Sequence, residues 1–135
     1  MIGSYILVIK LEKDKKILVG KLGKIHFKCG FYVYIGSALN GLEQRINRYL
    51  KKTKKKHWHI DYLLDFAEVI EILYNESEIK TECEISSKLN KQLDSIFGFG
   101  CSDCRCKSHL FYGSYKKIKP VIKNLQMINY KLKKC

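Results

Sequence analysis

No apolar run in this 135-residue sequence approaches the roughly 18 residues that a membrane-crossing helix needs, so an integral membrane protein is set aside. The apolar start, MIGSYILVI, has no basic segment before it and no small-residue cleavage site after it, and it stops at Lys10. It reads as a strand rather than a signal peptide, and a reducing cytoplasm is the expected location. No internal repeat recurs, and the length suits one domain that can bury a core without staples. Six cysteines would suit a disulfide scaffold in a secreted chain. Here Cys101, Cys104 and Cys106 crowd into six residues, which fits metal or reduced thiols better than bridges.

Acidic residues are also scarce, 13 against 26 basic ones, and the net charge of +13 favours a polyanion such as nucleic acid or an anionic surface. The total discriminates little, because 23 of the 26 cations are lysine, a skew that genome composition or adaptation to heat also produces. The three arginines say more, since a planar two-pronged donor suits phosphate. Arg45 and Arg48 lie in the stretch FYVYIGSALNGLEQRINRYL, and Arg105 lies among the cysteines.

The hydrophobic pattern predicts an α+β domain. Gly3 to Leu11 alternates and is rich in β-branched residues, and Lys16 to Gly20 repeats that character after a charged turn, which predicts a hairpin. Phe31 to Ile35 is a third strand. Asn40 as N-cap, Glu43 three residues on, and the stripe Leu42, Ile46, Tyr49 and Leu50 predict a helix from Gly41 to Lys51. A second helix is expected over Trp58 to Phe66 and a strand over Glu68 to Tyr74. Thr81 with Glu84 makes a capping box for a third helix, on which Glu82, Ser86, Leu89 and Leu93 share a face. Glu84 then has a structural task and Glu82 is left free. Gly98 to Gly100 opens the cysteine loop, His109 to Tyr112 is a short strand, and Pro120 starts a last helix running to about Tyr130.

A helix that follows a tight strand exit presents its first turns to whatever sits over the strand end, and a glycine there lets backbone approach a phosphate closely. Gly36 and Ser37 occupy that exit, and Arg45 lies a little over one turn into the helix. These residues resemble the GIY-YIG nuclease family. Gly3-Ser4-Tyr5 stands where the first tripeptide would stand, Tyr34-Ile35-Gly36 is the second verbatim, and Ser37-Ala38 continues it. Arg45 matches the family's helix arginine and Glu82 its later glutamate. WHIDYLL at Trp58 to Leu64, Glu82-Cys83, and GFGCSDCRCKSHLF at Gly98 to Phe111 are similar more narrowly to the Uri-type branch of small archaeal and bacterial proteins, whose members also occur fused to endonuclease III.

The resemblance spans residues 3 to 112. It implies a small mixed or antiparallel sheet flanked by helices, with a nuclease-like domain over residues 1–114 and a C-terminal helix and basic tail over 115–135, packed on it or trailing from it. It implies an endonuclease acting on DNA, in repair or structure-directed cleavage, with a repair protein as partner and one magnesium or manganese ion held by Glu82. Arg45 would neutralise charge on the phosphorane, Tyr34 would orient or deprotonate the attacking water, and Tyr5 would assist. A phenol's reference pKa of about 10 makes a base role depend on nearby positive charge. Two departures stand out: 28 residues separate Tyr5 from Tyr34, which calls for an extra hairpin, and Tyr49 stands where many members have histidine.

Ser37, Arg48 and the run Lys51, Lys52, Lys54, Lys55 and Lys56 are the expected contacts to a nucleic-acid backbone, with Trp58 available to stack on a base. A solvated connection and a core tryptophan are the ordinary alternatives. Cys101, Cys104, Cys106 and His109 offer four zinc ligands, but a single residue between two of them strains tetrahedral closure, so reduced thiols are favoured over structural zinc. Two rivals remain: a nuclease-like fold kept as a nucleic-acid-binding module, and a cysteine-based metal or redox protein.

Overall fold

The run YILVI gives β1 (Gly3–Leu11) buried side chains on both faces, so this strand needs a neighbour on each edge and a layer on each side. In a computed structural model describing residues 2–38, 41–51, 55–56, 58–77, 81–100 and 108–130, it has both. β4 (Gly30–Ala38) pairs with one edge and β5 (Glu68–Glu76) with the other. β6 (Asp94–Ser95), β7 (Leu110–Gly113) and β8 (Ile128–Asn129) complete an antiparallel sheet in the order β6-β7-β4-β1-β5-β8.

Helices α1 (Leu42–Leu50) and α2 (His59–Leu64) cover one face, where Leu42, Ile46, Ile60 and Leu63 pack on Tyr5, Leu7, Ile9 and Tyr34. Helices α3 (Glu82–Asn90) and α4 (Tyr115–Asn124) cover the other, where Ile85, Leu89, Ile118 and Ile122 pack on Ile6, Val8, Val33 and Ile35. The result is a mixed α+β single domain of three layers, and α4 and β8 are integral to it. Among the described residues no helix is long and apolar enough to cross a membrane.

Three local expectations are overturned. The segment after β1 does not fold back onto it, because β4 and β5 already occupy both edges. Instead β2 (Lys15–Leu18) pairs with β3 (Lys24–Phe27) in a separate two-stranded hairpin, which packs Ile17 and Phe27 onto the α1–α2 side. This hairpin accounts for the long interval between Tyr5 and Tyr34. Second, the last helix runs not from Pro120 to about Tyr130 but over Tyr115–Asn124, with β8 following it; the Ser114 hydroxyl caps it by accepting from the Lys117 amide at 3.2 Å, and Pro120 lies inside the helix. Burial of Ile118, Val121 and Ile122 in the core, with the Ser114 cap, offsets the intrahelical bond that the proline forgoes.

Third, the Thr81–Glu84 capping box is absent. The Thr81 hydroxyl instead meets the Ser4 hydroxyl at 2.6 Å, tying the start of α3 to the buried start of β1. Replacing Thr81 with valine keeps the shape but strands the Ser4 hydroxyl, at a cost of about 1–3 kcal/mol. Thermal unfolding is expected to show that loss in Thr81→Val and to show much of it recovered in Ser4→Ala/Thr81→Val. Equal stability of Thr81→Val and wild type would mean that the contact carries nothing. Asn40, expected as the cap of α1, lies outside the described residues, and Gly41 occupies the N-cap position.

Candidate active site

The β1–β4 register sets Tyr5 opposite Gly36 and Leu7 opposite Tyr34, so Tyr5, Tyr34 and Gly36 lie side by side on the face that α1 covers. Gly36 is a notch. A Cβ at that position would fall 2.2 Å from Tyr5 Oη and 2.3 Å from Cζ, so only glycine lets the Tyr5 ring cross the neighbouring strand. The ring ends at Tyr49, whose hydroxyl lies 2.5 Å from that of Tyr5. Arg45, one turn earlier on α1, donates to the Ser37 carbonyl at 3.3 Å and to Tyr5 Oη at 3.5 Å. Ser37 Oγ is buried and has no hydrogen-bond partner among the described residues.

Tyr49 therefore has two roles. It packs in the core on the predicted apolar stripe, and its hydroxyl joins the Tyr5–Arg45 cluster at the position where a histidine was the alternative. Burial pushes the phenols of Tyr5, Tyr34 and Tyr49 above their ordinary value. For Tyr5 the neighbouring Tyr49 and Tyr34 add to the rise, and for Tyr34 so do Tyr49 and the Glu82 carboxylate. Arg45 pulls each of them down, but by less. Burial opposes the charge of Arg45 itself, yet Tyr5 and Tyr49 carry its pKa upward, so the cation is retained. A low-dielectric site holding a cation and protonated phenols presents one positive charge and several hydroxyls to an anion.

Glu82 opens α3 with its side chain 17% exposed, close enough to Tyr34 to raise its pKa, and with Oε2 4.0 Å from Nδ1 of buried His109. The expected face holds for Ser86 and Leu89, which are buried on α3, whereas Leu93 is buried but lies beyond the helix, which ends at Asn90; Glu84 points outward toward Lys88 at 3.9 Å. The Gly98–Gly100 loop closes this side. Gly100, at φ +75°, lies so near His109 and Tyr34 that a side chain there would be both strained and crowded. Its amide donates to His59 Nδ1 at 2.8 Å, which fixes the imidazole neutral with its proton on Nε2.

Burial lowers the pKa of His59. The folded value thus lies below the unfolded one, and the unfolded chain takes up the proton first as pH falls. The stability contributed by neutral His59 is complete above the unfolded value of about 6.5 and is lost as pH falls through the folded value. Urea unfolding near neutral pH and at about pH 5 is expected to show a larger loss for wild type than for His59→Gln. Identical losses would remove His59 from the loop's pH response.

Arg48 was expected on a nucleic-acid backbone, but its fork is held internally. Nη1 and Nη2 each donate to the buried Asp61 carboxylate at 2.7 Å, and Nη2 also donates to the Lys55 carbonyl at 2.9 Å. Trp58 is half-buried beneath two guanidinium groups, with the Arg45 and Arg48 Cζ atoms 4.2 and 4.4 Å from its ring centre. Lys51, Lys55 and Lys56 are exposed, and Lys56 pairs with Asp65 at 2.9 Å. Lys52 and Lys54 lie outside the described residues, as do His57, Cys101, Cys104, Arg105 and Cys106. Asp61 is the member of this constellation that sequence reasoning missed. Its signal was a carboxylate three residues after Trp58, inside a helix with a buried face.

Among the described residues no three His, Cys, Asp or Glu side chains form a metal-holding group. A lone, partly exposed carboxylate such as Glu82 still suits magnesium or manganese, which keep several waters and are commonly held by one or two carboxylates. A groove of about 260 Å³ between α4 and β5, floored by Leu73, Ile118 and Ile122, lies on the opposite face of the sheet from Tyr5. No curated protein and no solved structure matches the chain. The model of a family described as a domain of unknown function, DUF123, matches residues 4–130, a span that holds Tyr5, Tyr34, Gly36, Arg45 and Glu82 together, and the chain belongs to that family.

Proposed function

We propose that the cluster is the centre of a metal-dependent phosphodiesterase of the GIY-YIG type, an endonuclease acting on DNA. What supports this reading above all is the register that sets Tyr5 across from Gly36, with Arg45 hydrogen-bonded at the same strand end. Two tripeptides separated by an inserted hairpin are thereby joined into one site.

In this reading Arg45 binds the scissile phosphate and neutralises charge that grows as the phosphorane forms. Tyr34 Oη holds the attacking water while its phenol stays protonated, and the joined hydroxyls of Tyr5 and Tyr49 keep a polar lining beside the guanidinium. Glu82 would hold the ion, which when bound polarises a phosphoryl oxygen and steadies the leaving group. Lys51, Lys55 and Lys56 add non-specific attraction to the backbone. A domain this small offers little surface for reading bases, so the reading favours a branched or lesion-bearing DNA structure over a long sequence, in repair and alongside a repair-protein partner.

The test is cleavage of labelled single-stranded, duplex, flap and deaminated DNA with magnesium or manganese. Wild type is expected to cut at least one of them. Arg45→Ala should lose about 100-fold to 1,000-fold in rate, and Arg45→Lys should recover only part, because an ammonium cannot reproduce the fork. Tyr49, at the position where many members of the resembled family have histidine and bonded to Tyr5, favours one alternative, a binding module without turnover. Salt-sensitive binding with no cut on any substrate would select it.

A further inference from the structure

The hydrogen bonds that Arg45 makes are long, 3.3 Å to Ser37 and 3.5 Å to Tyr5, so they hold its guanidinium loosely. A further contact restrains it: its Cζ lies 4.2 Å from the centre of the Trp58 ring. That ring is itself placed by Asp61, which is fully buried. Asp61 Oδ2 accepts from the Trp58 amide at 3.0 Å, fixing the start of α2, and both of its oxygens grip Arg48 at 2.7 Å. The Arg48 guanidinium then rests on the same indole at 4.4 Å.

We propose that Asp61, with Arg48 and Trp58, is a positioning device for Arg45: the buried carboxylate sets the indole, and the indole sets the guanidinium over the strand end. The charges agree with the geometry. Arg45 and Arg48 are three residues apart on one helix and repel, and a single buried carboxylate cancels the second cation while leaving the first for a phosphate. Cation–π attraction in a half-buried setting and a bidentate clamp are both directional, so together they restrict where the Arg45 fork can point. This assignment rests on the phosphodiesterase reading for its consequence in rate, but not for its geometry.

The experiment compares Trp58→Phe, Trp58→Leu and Asp61→Asn with wild type, using circular dichroism to verify folding. Trp58→Leu keeps apolar volume without a π face, and kcat is expected to fall about 100-fold with KM nearly unchanged, as for a misplaced catalytic group. Trp58→Phe should restore most of that loss. A second readout needs no activity, because Trp58 is the sole tryptophan of the chain. Quenching of its fluorescence by neutral acrylamide should rise in Asp61→Asn, as Arg48 is released and the indole loosens. Equal kcat in Trp58→Leu and Trp58→Phe, or unchanged quenching in folded Asp61→Asn, would overturn the proposal. If wild type cuts no DNA, the phosphodiesterase reading fails on its own, and the quenching still decides the positioning.

Discussion

Glu82→Gln is expected to lower the metal-dependent cleavage rate by about a thousandfold, equivalent to about 4 kcal/mol of lost transition-state stabilisation, while leaving the fold intact. The substitution conserves volume, removes the charge and turns one acceptor oxygen into an amide donor. Glu82 is the partly exposed first residue of α3, and the helix is anchored without it, through Ile85, Ser86 and Leu89 in the core and Thr81 on Ser4. Its melting temperature should therefore remain close to that of wild type. Loss of the carboxylate also removes one influence that raises the Tyr34 pKa. A faster rate at alkaline pH in the variant would mean that phenol ionisation, rather than the ion, limits the reaction. Wild-type activity in Glu82→Gln would remove the residue from the site.

Gly36→Ala is expected to be strongly destabilising. The added carbon would lie 2.2 Å from Tyr5 Oη and 2.3 Å from Cζ, and Tyr5 has nowhere to retreat, being wholly buried in the central strand between β4 and β5. Overpacking of this severity is expected to cost about 3 kcal/mol, or roughly 10 °C in melting temperature for a domain of this size. Activity should fall with it, because the displaced ring carries the hydroxyl that meets Tyr49 and Arg45. Truncating the ring in Gly36→Ala/Tyr5→Leu should return part of the stability but none of the cleavage. That split separates the packing role of the notch from its chemical role. If Gly36→Ala were as stable and as active as wild type, the close approach of the two tripeptides would be wrong.

Much of this site was legible before the fold was known, for local reasons. Tyr34-Ile35-Gly36 leads from a strand into a helix whose apolar stripe is short-range, so Arg45 could be placed beside Gly36 from spacing alone. Glu82 was singled out by the family resemblance, supported by a helix face that continues into Ser86 and Leu89, while the capping box thought to set it apart from Glu84 does not form. What sequence hid depends on long-range pairing. The Thr81 hydroxyl had a satisfactory local partner in its own helix and took Ser4, 77 positions away, instead. The strand after β1 looked like a hairpin partner because nothing local says that both edges of β1 are already taken. Asp61 was unremarkable in sequence, since its importance comes from Arg48, 13 positions earlier, and from an indole shared with Arg45. A carboxylate that completes a cluster can be recognised only once its neighbours are in place.

The direct test of the central claim is a single-turnover assay with wild type in excess over end-labelled flap and duplex DNA, started with manganese and repeated in EDTA. The account predicts strand cuts that appear only with the metal ion and are absent in Glu82→Gln assayed in parallel. Intact DNA in every lane, bound equally well by wild type and variant, would contradict it and leave a domain that holds nucleic acid without cutting it.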